Sequence, residues 1–376
     1  MKYYLIILLL LIFSSTKSQD LNDSIEILYN KTEYLEIIKL FDHQEQLNDI
    51  SYYYIGYSYF MQSEYEKANE YYYKSLKINK DNPLVYYSMA ISYHSLELKD
   101  SAIFCINNAI ELDETVTDYL SYKGDLHYYY GEKDSAIYCL ENVTKMRLAS
   151  PKDWINLADV YADYNIWEKA EDTYKKALDL CADGSDDYFR CLYNMGLVFY
   201  NTGKFENARL SFSKIYERLP DNYNVVSKLI QCLYAEKNYK KADDLKKVLY
   251  TAREQKKLPS QLENMFCFDQ FIWKDKKIMV FEKYDEPEAF LYYKHIFYVM
   301  NNEVAINDFD FTIQSEHSAA LESVKKKYVM GMTKGNMHYT YWSFLFGEKF
   351  SYEKMKQAVI DILEEKVNPS SSSSVQ

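Results

Sequence analysis

From residue 49 to residue 256 the apolar and small residues recur with one long period. Gly56, Ala90, Gly124 and Ala158 stand 34 residues apart, and so do Ala68, Ala102, Ala136 and Ala170. Two independent series with one period predict stacked pairs of antiparallel helices, the first series on helix A of each pair and the second on helix B. Small residues at both places let the two helices approach closely, while aromatics and Leu fill the space that remains. After Leu180 the register slips by four. Gly196 and Ala208 lie 38 residues beyond Ala158 and Ala170, and the extra residues fall in the polar turn Cys181–Asp187. Six units follow: 49–82, 83–116, 117–150, 151–184, 189–222 and 223–256. In the sixth, Ile230 stands at a small-residue position, Lys246 replaces an aromatic, and the second helix is more polar, which suits a terminal helix with a wetter face. Residues 21–48, with Tyr34, Ile37 and Phe41, read as a divergent first hairpin with a short second helix.

Beyond Lys256-Lys257-Leu258-Pro259-Ser260 the period changes. Residues 277–282 and 290–300 read as strands, Asn301-Asn302 as a turn, and 304–313 as the return strand with Ile306, Phe309, Phe311 and Ile313 as candidates for burial. Residues 315–326 read as a short helix, 328–333 and 337–344 as a hairpin, and 352–366 as an amphipathic helix. The expectation is a small α+β domain over 257–368, followed by a disordered Ser-rich tail, 369–376.

The most specific stretch runs from Trp154 through Leu157, Ala158 and Tyr161, then Trp167, Ala170, Tyr174 and Ala177. It reads W-x2-L-A-x2-Y, then Ala, an aromatic and Ala. This resembles the tetratricopeptide repeat (TPR) family, over 49–256 and more faintly over 21–48. The fold class implied is an all-α TPR solenoid of antiparallel helix pairs, followed here by the small α+β domain. The resemblance further implies a concave groove, lined by helix A, that binds a polypeptide segment. Carried onto this chain, the groove positions include Tyr53, Tyr57, Tyr87, Ile91, Asp118, Asp125, Tyr128, Asp159, Asp163, Tyr193 and Tyr200, together with Ser227, Gln231 and Tyr234. One TPR subclass clamps a chaperone's terminal carboxylate with Lys at position five. Here position five is Tyr53, Tyr87, Ser121, Ile155, Tyr193 and Ser227, so that clamp is absent. An aromatic entrance and an acidic strip imply a partner with apolar anchors and a Lys or Arg. The alternative is that some aromatics pack between helices and the aspartates are merely solvated.

Charge and termini narrow the class. The net charge of −12 argues against nucleic acid or anionic lipid as partner. Met1-Lys2, the apolar run Tyr3–Phe13 and the polar segment to Ser18 read as a signal peptide, 1–18, with an uncleaved anchor as the alternative. The run is about half of the ~20 residues a spanning helix needs. The chain is therefore expected to be secreted or periplasmic, with no membrane span after cleavage. Tyrosine, 41 residues, fits either a contact-rich surface or coding bias.

An oxidising compartment allows disulfides, and Cys181 and Cys191 flank the four-residue insertion where a bridge could staple it. Cys105 and Cys139 are one repeat apart, about 10 Å, beyond the ~7 Å limit for a bridge. No C-x-x-C or H-E-x-x-H occurs. His317 and His338 with a carboxylate could make a metal or small-ligand pocket, or could be two structural histidines at strand ends. No cofactor is implied. The reading is an extracytoplasmic TPR scaffold or adaptor and not an enzyme. Its alternative is a catalytic or ligand-binding C-terminal domain carried on a targeting platform.

Overall fold

The computed structural model describes residues 20–40, 47–146, 149–285, 292–301, 304–314, 327–334, 337–345 and 352–364. The signal-like segment 1–18, the helix expected at 315–326 with His317, and the tail 369–376 lie outside these residues. The chain divides into two compact units, Met1–Cys181 and Ala182–Gln376. The change of sequence period near residue 257 thus falls inside the second unit.

Unit one is helical throughout its described residues. α1 spans 20–30, and α2 is Tyr34–Leu40, α3 Asp49–Met61, α4 Tyr65–Ile78, α5 Pro83–Ser95, α6 Lys99–Leu112, α7 Thr117–Tyr129, α8 Lys133–Val143, α9 Pro151–Asp163 and α10 Trp167–Leu180. Unit two opens with two more pairs: α11 Asp186–Asn201, α12 Phe205–Arg218, α13 Tyr223–Ala235 and α14 Tyr239–Glu254. Within the pairs from α3 to α14 the connecting turn is built the same way. Ser63, Glu97, Gly131, Asn165, Gly203 and Lys237 occupy one repeat position, and all have φ between 58° and 75°. The residue after each donates its N–H to a carbonyl in the last turn of helix A, as Glu132 does to His127 at 2.8 Å and Lys204 to Phe199 at 2.8 Å. This left-handed cap ends helix A and reverses the chain. Only two of the six are glycine, so the geometry is imposed by packing of the flanking helices and not by local preference.

Helix starts are specified locally. Asn48, Asn82, Ser150, Ser185 and Asn222 each cap a helix A with the side-chain oxygen. Ser150 forms a full capping box: Asp153 Oδ2 accepts from the Ser150 N–H at 2.7 Å, and Ser150 Oγ accepts from the Asp153 N–H. Ser150→Ala is expected to cost about 1 kcal/mol, seen as a lower denaturation midpoint at unchanged slope; no change would mean that the Asp153 arm alone holds the cap.

The rest of unit two is α15 Ser260–Glu263, six strands, and α16 Tyr352–Leu363. The strands are β1 Met265–Trp273, β2 Lys276–Asp285, β3 Tyr292–Asn301, β4 Val304–Gln314, β5 Lys327–Lys334 and β6 Met337–Leu345. They form one antiparallel meander in chain order. β1 carries no clean alternation in sequence because of a bulge between Cys267 and Asp269, which buries Phe268 and Asp269 side by side. On β2 the period of two puts Ile278, Val280 and Glu282 on one buried face. On β3 it does the same for His295, Phe297 and Val299, and Glu282 pairs directly across from His295. This face shares a core with Val226, Ile230, Leu233 and Leu249 of the last helical pair and with Met355 and Val359 of α16.

Candidate interaction face

In unit one the helix-A face of α3, α5, α7 and α9 carries the residues expected to meet a partner. Tyr53 is 8% exposed and belongs to the core, its ring 5.8 Å from Tyr72. Tyr57 is half-buried among Tyr29, Tyr34 and Phe60, with ring centroids 5.5–6.1 Å apart. Tyr87 lies 5.1 Å from Tyr119 and 5.5 Å from Tyr122, and Ile91 is half-buried one turn further along α5. Asp118 and Asp125 are exposed, two turns apart on α7. Burial and then the charges of these two aspartates push the Tyr87 phenol up to about 12, which places both carboxylates in electrostatic reach of its ring. His94 extends this wall. Its ring sits edge-on to Tyr129 at 4.6 Å and near Tyr130 and Tyr122, and burial lowers its pKa, so the imidazole is neutral at pH 7.

Asp163 and Asp159 of the strip are bonded to tyrosines of the repeat stack. The Tyr128 hydroxyl donates to Asp163. That hydrogen bond, with burial, raises the Tyr128 phenol to about 12. The hydroxyl of Tyr174, 1% exposed on α10, donates to Asp159. Asp159 therefore helps close its own helical pair.

In unit two the expected groove positions are covered by the chain itself. Tyr200 is 6% exposed, with Cys267, Asp269 and Gln270 of β1 about its hydroxyl. Ser227, Gln231 and Tyr234 of α13 are all buried. Gln231 Nε2 donates to the Cys267 carbonyl at 2.7 Å, and Tyr234 packs 4.7 Å from Phe268 and 5.1 Å from Tyr352. Tyr193 packs on Phe212 at 5.6 Å. The assignment of Tyr200, Ser227, Gln231 and Tyr234 to an open groove is corrected: β1 occupies that face.

Beneath β2 lies a polar cluster that the repeat pattern does not announce. Lys246 Nζ donates to Tyr234 Oη at 2.8 Å and to Glu282 Oε2 at 3.0 Å, with Phe268 3.9 Å below the ammonium. The Tyr250 hydroxyl donates to Glu282 Oε1 at 2.6 Å, and His295 Nε2 lies 3.0 Å from Glu282 Oε2. Alternation along β2 and β3 could have flagged Glu282 and His295 as inward-facing. Lys246, one of the residues behind the expectation of a wetter last helix, is itself buried, while Lys240, Lys241, Asp243, Asp244 and Lys247 of the same helix are exposed.

The bridge allowed between Cys181 and Cys191 is not formed, and both sulfurs are thiols. Cys191 is fully buried in the packed face of α11, whereas Cys181 is half-exposed at the end of α10. His338 lies on β6 and His317 outside the described residues. Among the described residues no group of three His, Cys, Asp or Glu is placed to hold a metal ion. Among them too, no helix is long and apolar enough to cross a membrane.

Residues 84–116 match the family model described as tetratricopeptide repeat. A TPR repeat-containing protein of Methanocaldococcus jannaschii is 24% identical over 169 residues, 45% of this chain. The match spans 29% of that relative's length. Among solved structures, MamA is similar with 21% identity and a TM-score of 0.40, over 45% of this chain and 97% of that one. YrrB, titled a TPR protein with an unusual peptide-binding site, shows 17% identity and a TM-score of 0.40, over 46% and 88%. PilW, titled a type IV pilus biogenesis factor, shows 14% identity and a TM-score of 0.47, over 57% and 96%.

Proposed function

On the premise that this chain carries a tetratricopeptide segment, we propose that it is a protein-interaction scaffold that works outside the cytoplasm. It holds a polypeptide segment against the helix-A face of unit one. The observation that carries the reading is the half-buried wall of Tyr57, Tyr87, Ile91 and His94 with exposed Asp118 and Asp125 beside it. Tyrosine supplies contact area at low entropic cost and dominates binding hot spots. Two carboxylates at the edge of such a wall favour a segment with apolar anchors and a Lys or Arg, whose stem lies on the rings while its charge meets the acids. The extracytoplasmic part rests on the charged, apolar and polar succession of residues 1–18.

The test is affinity capture from the native envelope or secreted fraction with the mature chain and with Asp118→Lys/Asp125→Lys. These two sites are chosen because Asp159 bonds Tyr174 and its loss would disturb packing. The double variant is expected to bind the captured partner at least about tenfold more weakly, 1.4 kcal/mol, at unchanged helical content. Equal affinity would sink the assignment of this face.

A further inference from the structure

We propose that unit one carries a second binding site, on its helix-B side, for a small aromatic zwitterion of the kind a short apolar peptide with free termini presents. The site is a half-open cavity of about 590 Å³ between α4, α5 and α6, a size within the roughly 300–1,000 Å³ of ligand pockets. Tyr86, Met89 and Tyr93 line it from one stripe of α5, at i, i+3 and i+7, distinct from the stripe of Tyr87, Ile91 and His94. Leu76, Met89 and Cys105 form its buried floor. Burial pushes the Cys105 thiol up to about 12, so the floor carries no charge at neutral pH. At the mouth the rings of Tyr73 and Phe104 stand 56% and 64% exposed.

The repeat shows why this space is open. Sixty-eight residues on, two repeat lengths, the positions of Tyr73, Tyr93 and Ser101 hold Glu141, Tyr161 and Lys169. There the Tyr161 hydroxyl donates to Glu141 Oε1, and Lys169 Nζ donates to the same oxygen at 3.2 Å. The three side chains satisfy one another across the gap. The matching gap of α12, α13 and α14 is smaller, about 370 Å³, and Arg209 and Glu236 on its wall are bonded at 3.0 Å. Between α4 and α6 nothing of the kind occurs: among the described residues the hydroxyls of Tyr73, Tyr86 and Tyr93 make no hydrogen bond.

The charges of the cavity are unspent as well. Of the three lysines on α4, Lys67 pairs with Glu64 at 2.5 Å and Lys74 with Glu70 at 2.7 Å. Lys77, which lines the cavity, is held 4.8 Å over the Tyr73 ring and has no carboxylate partner among the described residues. Asp100, exposed in the first turn of α6 and lining the same cavity, has no cation partner among them. Two opposite charges that line one cavity without pairing with each other fit a ligand that brings both, a carboxylate for Lys77 and an ammonium for Asp100. Aromatic groups on that ligand match the ring-lined walls. A simple anion would be repelled by Asp100, and a simple cation by Lys77.

The test uses the full chain labelled with 13C-methyl methionine, with the Met89 resonance identified by its loss in Met89→Leu. The probe is the dipeptide phenylalanyl-phenylalanine, with its N-acetylated and C-amidated forms beside it. The dipeptide is expected to shift the Met89 methyl in a saturable way, and each blocked form to bind about tenfold more weakly. Lys77→Gln should weaken the parent dipeptide by a similar factor and leave the amidated form unchanged. Tyr73→Glu/Ser101→Lys, which with Tyr93 rebuilds the bonded triad of the later gap, should abolish the shift at unchanged helical content. Asp118→Lys/Asp125→Lys, on the helix-A face, should leave it intact, so that this site and the groove stand or fall separately. A Met89 methyl that the dipeptide does not move would overturn the proposal, as would full binding by either blocked form or an undiminished shift in Tyr73→Glu/Ser101→Lys.

Discussion

Lys246→Met is expected to destabilise unit two by about 3–5 kcal/mol, because removing one partner of a buried ion pair strands the other. Glu282, 2% exposed, would keep only Tyr250 and His295 around a carboxylate that no water reaches. Methionine fills nearly the same volume, so the loss would not be one of packing. The matched double variant Lys246→Met/Glu282→Leu should recover most of the stability, since an apolar pair of similar size often replaces a buried ion pair at little cost. The readout is hydrogen exchange of the β2 and β3 amides together with the urea midpoint. A single variant within about 0.5 kcal/mol of wild type, the range of ordinary surface substitutions, would show that the cluster is not desolvated as described. Because the same sheet covers Tyr200, Ser227 and Gln231, Lys246→Met should also expose that helix-A face.

The pH profile of the second unit follows from the same cluster. Burial alone would raise the Glu282 carboxyl, but the Lys246 charge and the hydrogen bonds from His295 and Tyr250 outweigh it and hold the carboxyl below its ordinary value. The folded state then binds fewer protons than the unfolded chain, so this stability is present above the usual glutamate range and is lost progressively as the pH falls from there to about 2. His295 has the same sign. Burial first, and then the Lys246 charge, lower its pKa against the pull of Glu282, so its contribution fades as the pH falls below 6.5. Asp269 has the opposite sign, since burial raises it despite Lys356 and Tyr352, and it partly offsets the acid loss. Stability should therefore decline in two acid steps, and His295→Gln should flatten the first of them.

What the sequence made legible was whatever repeats. Gly56, Gly124 and Gly196 announce close helix contacts at any register, and the caps Asn82, Ser150 and Ser185 announce where helices begin. Groove positions could be numbered by analogy, but their accessibility could not. Tyr200 and Gln231 are buried by β1, a strand with no repeat whose bulge hides its alternation. Asp159 and Asp163 look alike in sequence, and only the structure gives one to Tyr174 and the other to Tyr128. Lys246 was legible as an exception to its position and illegible as to cause, because its partner lies 36 residues away on a strand.

The last large effect concerns the rule that Lys246 breaks. Phe212→Ala is expected to cost about 3–5 kcal/mol, and Gly196→Ala about 1–3 kcal/mol. Phe212 is fully buried, and a Cβ at Gly196 would stand 2.8 Å from its Cζ and 2.9 Å from its Cε1. Ring and gap are sixteen residues apart, and the same spacing links Gly56 to Tyr72 and Gly124 to Leu140, each with an added Cβ 2.7–2.8 Å from the partner. The side chain on helix B is thus the knob for which the small residue on helix A leaves room. Gly196→Ala/Phe212→Leu should cost less than the sum of Gly196→Ala and Phe212→Leu, since the shorter side chain vacates the space that the methyl needs; strict additivity in chemical denaturation would refute the knob-and-gap pairing. Sixteen residues before Lys246 stands Ile230, fully buried. There the gap is already filled, so no aromatic fits on helix B, and the long side chain at that position reaches instead to Tyr234, Phe268 and Glu282. Ile230→Gly should accordingly leave an unfilled cavity and be rescued in part by Lys246→Phe/Glu282→Leu, which restores the knob of the earlier repeats while removing the stranded carboxylate.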